Sequence, residues 1–224
     1  MSYVGAPHQF LGDVLPSDFR ADIFSLVEAA WPRVDDPFKI RREPRITALL
    51  RLALIEANEA RYESDPPFDI GSEVQKCDPK TGKEVERTDL EFRLRHHYIR
   101  GQRPYFVFES KRLNIPYGDA VRSEAHEYVG DGGMGCLLAS GYDSKPDYSG
   151  MLAYVMDGNV ATAKRSVEKS LANKSGEVRL RGDAKIHPSA WMPKGSQHGE
   201  THHTTGSQPT VLFHMFLVVT RSRR

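Results

Sequence analysis

The sequence predicts a mixed α/β fold whose sheet combines antiparallel and parallel strands, and three observations predict it. First, Thr88–Arg95 alternates polar and apolar residues, and Tyr105–Phe108 is aromatic and β-branched; a glycine-containing turn, Ile99–Pro104, joins them. Two such segments around a short turn make an antiparallel hairpin. Second, Gly150–Met156 is a near-continuous apolar run followed by the turn Asp157-Gly158-Asn159 and an amphipathic segment, Val160–Leu171. That near-continuous run suits a central strand covered on both faces. Third, two segments with apolar residues at helical spacing precede the hairpin and supply a layer to cover it.

In chain order, residues up to about Pro16 carry Gly, Pro and polar residues and read as a loose lead-in. Ser17 or Asp18 can cap a helix through Ala21–Trp31, with Ile23, Leu26, Val27 and Ala30 on one face and Pro32 as its stop. Asp35-Asp36-Pro37 begins a new segment. Pro44 suits the first turn of a second helix, where a missing N–H costs nothing, and Ile46, Leu49, Leu50, Ala53, Leu54 and Ala57 extend its stripe towards Arg61. After Ser64–Pro67 a first strand runs Ile70–Lys76, and Asp78-Pro79-Lys80-Thr81-Gly82 turns it through Lys83–Arg87 into the Thr88 strand. The three strands form an antiparallel meander. Asp119–Tyr128 is polar and helix-compatible. Four glycines in Glu127–Gly135 then break the pattern, but no Gly-Lys-Ser/Thr follows and no buried strand precedes them, so a P-loop is rejected. Pro209–Val219 closes the fold as a buried strand ahead of the basic end Arg221–Arg224.

At 224 residues the chain reads as one domain able to bury a proper core. Charged residues at 27% and hydrophobic ones at 39% are ordinary for a soluble protein, and a net charge of +1 excludes a global basic field. A nucleic-acid partner therefore needs a local patch, which Arg93, Arg95, Arg100, Arg103, Lys111 and Arg112 would supply; arginines on a solvated strand face are the equal alternative. Two cysteines, Cys77 and Cys136, give no disulfide framework. No leader-like start and no run near the ~20 apolar residues of a membrane span are present, so the expectation is a cytoplasmic protein with no membrane association.

The chemistry concentrates where the aromatic strand turns polar, at Glu109-Ser110-Lys111. Alternation puts Glu109 and Lys111 on one face and Ser110 on the other. If the hairpin folds near Arg100, residues whose numbers sum to roughly 198–200 face one another, with Cβ atoms about 5 Å apart, and Asp89 comes opposite this segment. Two carboxylates and a lysine then converge by geometry, although an ion pair on an edge strand would leave the same trace.

The arrangement of Asp89 on one strand and Glu109-x-Lys111 on the next resembles the PD-(D/E)XK, or restriction-endonuclease-like, nuclease superfamily, with Thr88 where the motif has Pro. The resemblance implies an αβββαβ core and metal-dependent hydrolysis of phosphodiester bonds, with DNA the expected substrate. It implies Mg²⁺, with Mn²⁺ as a substitute, held by Asp89 and Glu109 with the Ser110 carbonyl beside them. Lys111 would orient or help deprotonate a water and oppose developing charge. In this superfamily a helix before the hairpin often adds an acidic ligand, and Glu43 matches it best, ahead of Glu56 and Glu59; complementing the helix dipole is the simpler role for Glu43. Glu91 could share the metal, but a solvated strand residue is preferred. Arg93, Arg95, Arg103 and Arg112 would contact phosphates. The spacing Tyr128-Val129 to Gly141-Tyr142-Asp143-Ser144 resembles a pattern in bacterial nuclease-like proteins linked to defence against foreign DNA. Relatives act as dimers or beside a partner subunit, so either is expected. The rival from another class is a non-catalytic nucleic-acid-binding or assembly module on the same scaffold. His198, His202 and His203, with Glu200, read as a His-rich loop, and His214 lies in the last strand; their spacing fits neither His-Glu-x-x-His nor a zinc finger.

Overall fold

The computed structural model describes residues 19–34, 42–63, 65–77, 84–96, 103–139, 148–193, 196–206 and 208–219. Helix α1, Phe19–Ala30, buries Phe19, Ile23, Phe24, Leu26, Val27 and Ala30, and its end tightens into one 3₁₀ turn, Trp31–Arg33, around Pro32. Ser17, Asp18 and Asp35–Pro37 lie outside the described residues. Helix α2, Glu43–Tyr62, opens one residue before Pro44 and buries Ile46, Thr47, Leu50, Ala53, Leu54, Ala57 and Asn58.

Strands β1 (Phe68–Cys77), β2 (Glu84–Leu94) and β3 (Tyr105–Leu113) form the antiparallel meander. Leu90 faces Phe108 and Arg93 faces Tyr105, the lower end of the register read from the hairpin. The segment after β3 departs from the sequence reading: instead of one helix over Asp119–Tyr128, the chain makes a hairpin, β4 (Ile115–Tyr117) and β5 (Ala120–Arg122), and then a short helix α3, Ala125–Val129. Gly118, at φ +59°, supplies the left-handed turn residue that a tight hairpin needs and a helix interior would not hold. The glycines after α3 form a wide turn, Asp131–Gly135, leading to a single helical turn α4, Cys136–Leu138. A Cβ on Gly133 would lie 2.3 Å from the Tyr128 carbonyl oxygen, so this glycine permits backbone-on-backbone packing rather than anion binding.

Strand β6 (Tyr148–Val155) pairs parallel to β3, and helix α5 (Val160–Asn173) follows, its first turn capped by the Asn159 side chain accepting from the Thr162 N–H at 3.0 Å. The histidine-rich segment is a strand and not a loop: β7, Gly199–Thr205, buries Thr201, His203 and Thr205 and exposes His202. Period-two burial of small hydroxyl and imidazole groups carries no apolar signal, which is why the segment read as a loop. Strand β8 (Gln208–Val218) completes a six-stranded mixed sheet in the order β1-β2-β3-β6-β8-β7.

Helices α1 and α2 cover one face, packing on Leu90, Phe92, Phe106, Phe108, Leu152, Tyr154, Phe213 and Met215, while α3 and α5 cover the other over Val107, Met151, Ala153, Leu212 and Phe216. Gly150 stands between Phe108 and Phe213 on neighbouring strands; a Cβ there would come 2.7 Å from the Phe108 ring. Its lack of a side chain lets those rings join Phe24 and Phe106 in one cluster, with Phe24 and Phe213 centroids 5.0 Å apart. Among the described residues no helix is long and apolar enough to cross a membrane.

Candidate active site

The ladder between β2 and β3 runs only from Arg93–Tyr105 to Leu90–Phe108, whereas β3 stays paired to β6 as far as Leu113. Beyond Phe108, one edge of β3 therefore presents main-chain N–H groups with no strand to bond, and two carboxylates take them. The Ser110 N–H donates to Asp89 Oδ2 at 2.8 Å, and the Arg112 N–H donates to Glu43 Oε2 at 2.9 Å. Asp89 comes from β2 and Glu43 from the first residue of α2, so the parting of the strands brings both beside Glu109 and Lys111. A buried N–H left without a partner is costly, which ties these acids to their places.

The Lys111 ammonium sits among oxygens: 2.8 Å from Glu109 Oε1, 2.8 Å from the Ser110 carbonyl and 3.4 Å from Glu43 Oε1. Glu109 and Lys111 are mostly buried, with side chains 13% and 16% exposed. Burial first, and then the neighbouring Asp89 charge, push the Glu109 carboxyl up to about 8 despite Lys111. Glu43 is raised too, chiefly by burial. Burial works against the Lys111 ammonium, but Glu109, Glu43 and Asp89 together outweigh it and raise its pKa, so the lysine keeps its proton.

A buried chain of hydroxyls runs into this cluster. Ser110 Oγ donates to Asp89 Oδ2 at 2.7 Å; Thr47 Oγ1 lies 2.9 Å from Ser110 Oγ and 2.9 Å from the Tyr154 hydroxyl. Sequence reasoning missed Thr47 and Tyr154. The available signal was a hydroxyl four residues after Glu43 inside an otherwise apolar helical stripe.

The remaining residues marked in the sequence are placed differently. Glu91 is 4% exposed, pairs with Arg93 at 2.6 Å and leaves Oε2 without a hydrogen-bond partner; it is not the solvated strand residue expected, because its face of the sheet is covered. Arg93 also lies 5.2 Å from the Tyr105 ring centroid. Arg95 and Arg103 both pair with Asp69, at 2.7 and 2.8 Å. Arg93, Arg95 and Arg103 are thus engaged within the molecule. Arg100 and Gly141–Ser144 lie outside the described residues, and Glu56 and Glu59 are exposed further along α2.

The histidines form a second buried system. Tyr128 OH lies 2.9 Å from His214 Nδ1, His214 Nε2 lies 2.8 Å from Thr201 Oγ1, and Thr201 Oγ1 lies 2.7 Å from His203 Nε2. His203 Nδ1 ends the chain 2.7 Å from the Val178 carbonyl, which can only accept. That end sets every direction: His203 donates to Val178, Thr201 to His203, His214 to Thr201 and Tyr128 to His214. Each imidazole is satisfied as the neutral form, and burial lowers His203 to about 4 and His214 to about 3. His198 accepts the Phe216 N–H at 3.0 Å, faces Glu28 at 3.1 Å and is likewise lowered to about 4, mainly by burial. A zinc loop is not what these residues build.

Asp89, Glu109, Glu43 and the Ser110 carbonyl offer oxygen donors alone, which suits Mg²⁺ or Mn²⁺, and the ammonium of Lys111 already occupies a cation's place among three of these groups. Oxygen donors of this kind suit a hard divalent ion, but the carboxylate oxygens of Asp89, Glu109 and Glu43 do not all lie within 4.8 Å of one another. Among the described residues the group of His, Cys, Asp or Glu whose ligand atoms all lie within 4.8 Å is Glu124, His126 and Glu127, at α3, where His126 and Glu127 are exposed. Comparison with protein families, with curated proteins and with solved structures finds no match to this chain.

Proposed function

We propose that this chain is a metal-dependent nuclease with a restriction-endonuclease-like core, hydrolysing phosphodiester bonds of DNA. One observation carries the reading: where β2 and β3 part, Asp89 and Glu43 bond the freed N–H groups of Ser110 and Arg112 and so stand around Glu109 and Lys111. The succession of α2, three antiparallel strands, α3 and a strand parallel to β3 supports the αβββαβ core. Asp89, Glu109 and the Ser110 carbonyl would hold Mg²⁺ or Mn²⁺, with Glu43 beside them; bound there, the ion polarises a phosphate oxygen and acidifies a water.

The chain's own groups do the rest. Lys111, whose pKa Glu109, Glu43 and Asp89 raise against the cost of burial, would set a positive charge against the phosphate and orient or help deprotonate the attacking water. Glu43 anchors the first turn of α2 to β3. The guanidiniums of Arg93, Arg95 and Arg103 are each more than a third exposed and would exchange Glu91 and Asp69 for phosphate oxygens. A second copy or a partner subunit would add recognition, and the cytoplasm is the compartment proposed.

The alternative, a non-catalytic binding module, is favoured by one observation: the Lys111 ammonium sits against Glu109 and Glu43, where it would compete with a metal ion. Cleavage of supercoiled and linear DNA with Mg²⁺, Mn²⁺ or EDTA, beside Lys111→Ala and Asp89→Asn, separates the two. Metal-dependent cutting lost in both variants is expected. Intact DNA under every metal, with protein shown to be folded by circular dichroism, rejects the nuclease.

A further inference from the structure

The hydroxyl chain behind Asp89 has a single direction. A carboxylate accepts, so the Ser110 hydroxyl donates its one hydrogen to Asp89 Oδ2, the oxygen that also takes the Ser110 N–H. Ser110 Oγ can then only accept from Thr47, whose hydrogen has the Glu43 carbonyl, at 3.2 Å, as its other acceptor. Thr47 Oγ1 in turn accepts from Tyr154. Ser110 is fully buried, Tyr154 likewise and Thr47 is 3% exposed, so no water substitutes for a lost member.

Four elements contribute one residue each: β6, α2, β3 and β2. The Tyr154 ring is itself held, stacked on Trp31 at 5.5 Å, and Trp31 Nε1 donates to the Val218 carbonyl at 2.7 Å. The chain therefore starts from a rigid post in the core and ends on one oxygen of Asp89. Oδ2 takes both Ser110 bonds, and Oδ1 takes neither. Thr47 also reaches the main chain of Glu43, so the same hydroxyl relates both acids taken from outside β3.

Resting on the nuclease reading, we propose that Thr47 and Tyr154 are positioning residues that fix the Asp89 carboxylate for a divalent cation through Ser110. They touch neither ion nor substrate. Outer partners of metal-holding carboxylates typically change affinity by about 10- to 100-fold when removed.

The experiment compares wild type, Thr47→Val, Thr47→Ser and Tyr154→Phe in three readouts. These are Mn²⁺ binding by calorimetry with no nucleic acid present, the Mg²⁺ concentration giving half-maximal DNA cleavage, and the Ser110 amide resonance. Thr47→Val keeps the shape and removes the hydroxyl; Thr47→Ser restores it. We expect Thr47→Val and Tyr154→Phe to weaken Mn²⁺ binding by about tenfold or more. The half-maximal Mg²⁺ concentration should rise in proportion, the rate at saturating metal should change by less than about twofold, the Ser110 amide should shift, and Thr47→Ser should recover wild-type affinity. Wild-type Mn²⁺ affinity in both Thr47→Val and Tyr154→Phe, whatever their melting temperatures, overturns the positioning role while leaving the nuclease standing. Wild-type protein that neither binds Mn²⁺ nor cuts DNA overturns both together.

Discussion

Acid should unfold this protein through its buried histidines, and the chain Tyr128–His214–Thr201–His203 lets the size be worked out. His214 ordinarily titrates at 6.5, but burial first, with His203 and Lys164 opposing added charge, holds it at about 3 in the fold. Above pH 6.5 both folded and unfolded chains carry a neutral imidazole and nothing is lost. Below that value the unfolded chain takes a proton that the folded chain refuses, so stability falls with pH until the folded group titrates too. One such histidine costs about 1.4 kcal/mol per pH unit in that window, or about 2 kcal/mol by pH 5. His203, lowered to about 4 by burial, adds a similar loss. About 4 kcal/mol is a large part of the 5–15 kcal/mol typical of a domain. The perturbation is His214→Gln: the amide can accept from Tyr128 and donate to Thr201 but does not titrate. Urea unfolding at a series of pH values should show the variant's stability falling less steeply below pH 6 by about one proton, whatever its constant offset. Identical pH slopes for the two proteins would refute the argument, since His214 would then be titrating alike in both states.

Glu109 has the opposite sign: the folded chain keeps until about pH 8 a proton that the unfolded chain releases near 4.5, so its contribution is complete below 4.5 and lost as pH climbs. Mg²⁺ should therefore raise the melting temperature more at about pH 8.5 than at about pH 6, and equal rises would place the cation elsewhere. Gly150→Ala drives a methyl to 2.7 Å from the Phe108 ring and 3.1 Å from the Phe213 carbonyl, so denaturant titration should record a loss of about 1–3 kcal/mol; no loss would mean that the rings give way freely. Asp69→Ala removes the carboxylate that Arg95 and Arg103 share, which should tighten non-specific DNA binding at low salt and steepen its salt dependence by roughly 1 phosphate contact. An unchanged slope in a filter-binding titration would keep those arginines off the phosphates.

Much of the β2–β3 hairpin was legible because alternation is a local property. Leu90 and Phe92 on one face, with Glu109 and Lys111 displaced to the other, follow from period two, and the turn length set the register to within one residue. The stretch after β3 was not legible, since Ile115–Val129 mixes a hairpin of two three-residue strands with a five-residue helix, each too short to display a period. Strand β7 failed for another reason: Thr201, His203 and Thr205 are buried polar groups, and the pattern of a strand is read from apolar ones.

The sequence by itself determined the mixed sheet, the helices whose stripes cover it, and the Glu109-x-Lys111 spacing with Asp89 on the neighbouring strand. The helical stripes and the hairpin rest on residues near in the chain or paired across one turn, whereas the parallel pairing of β3 with β6 and of β6 with β8 joins strands distant in sequence. Only the tertiary structure decided that Glu43 caps the Arg112 N–H across 69 positions, and that Tyr154 reaches Thr47 across 107. It also decided that the arginines pair with Asp69 and Glu91, and that the histidines close a chain on Val178. Periodicity tells which face of an element is buried; which polar atom meets which inside depends on the packing of elements distant in sequence, where each donor takes the acceptor the fold brings to it.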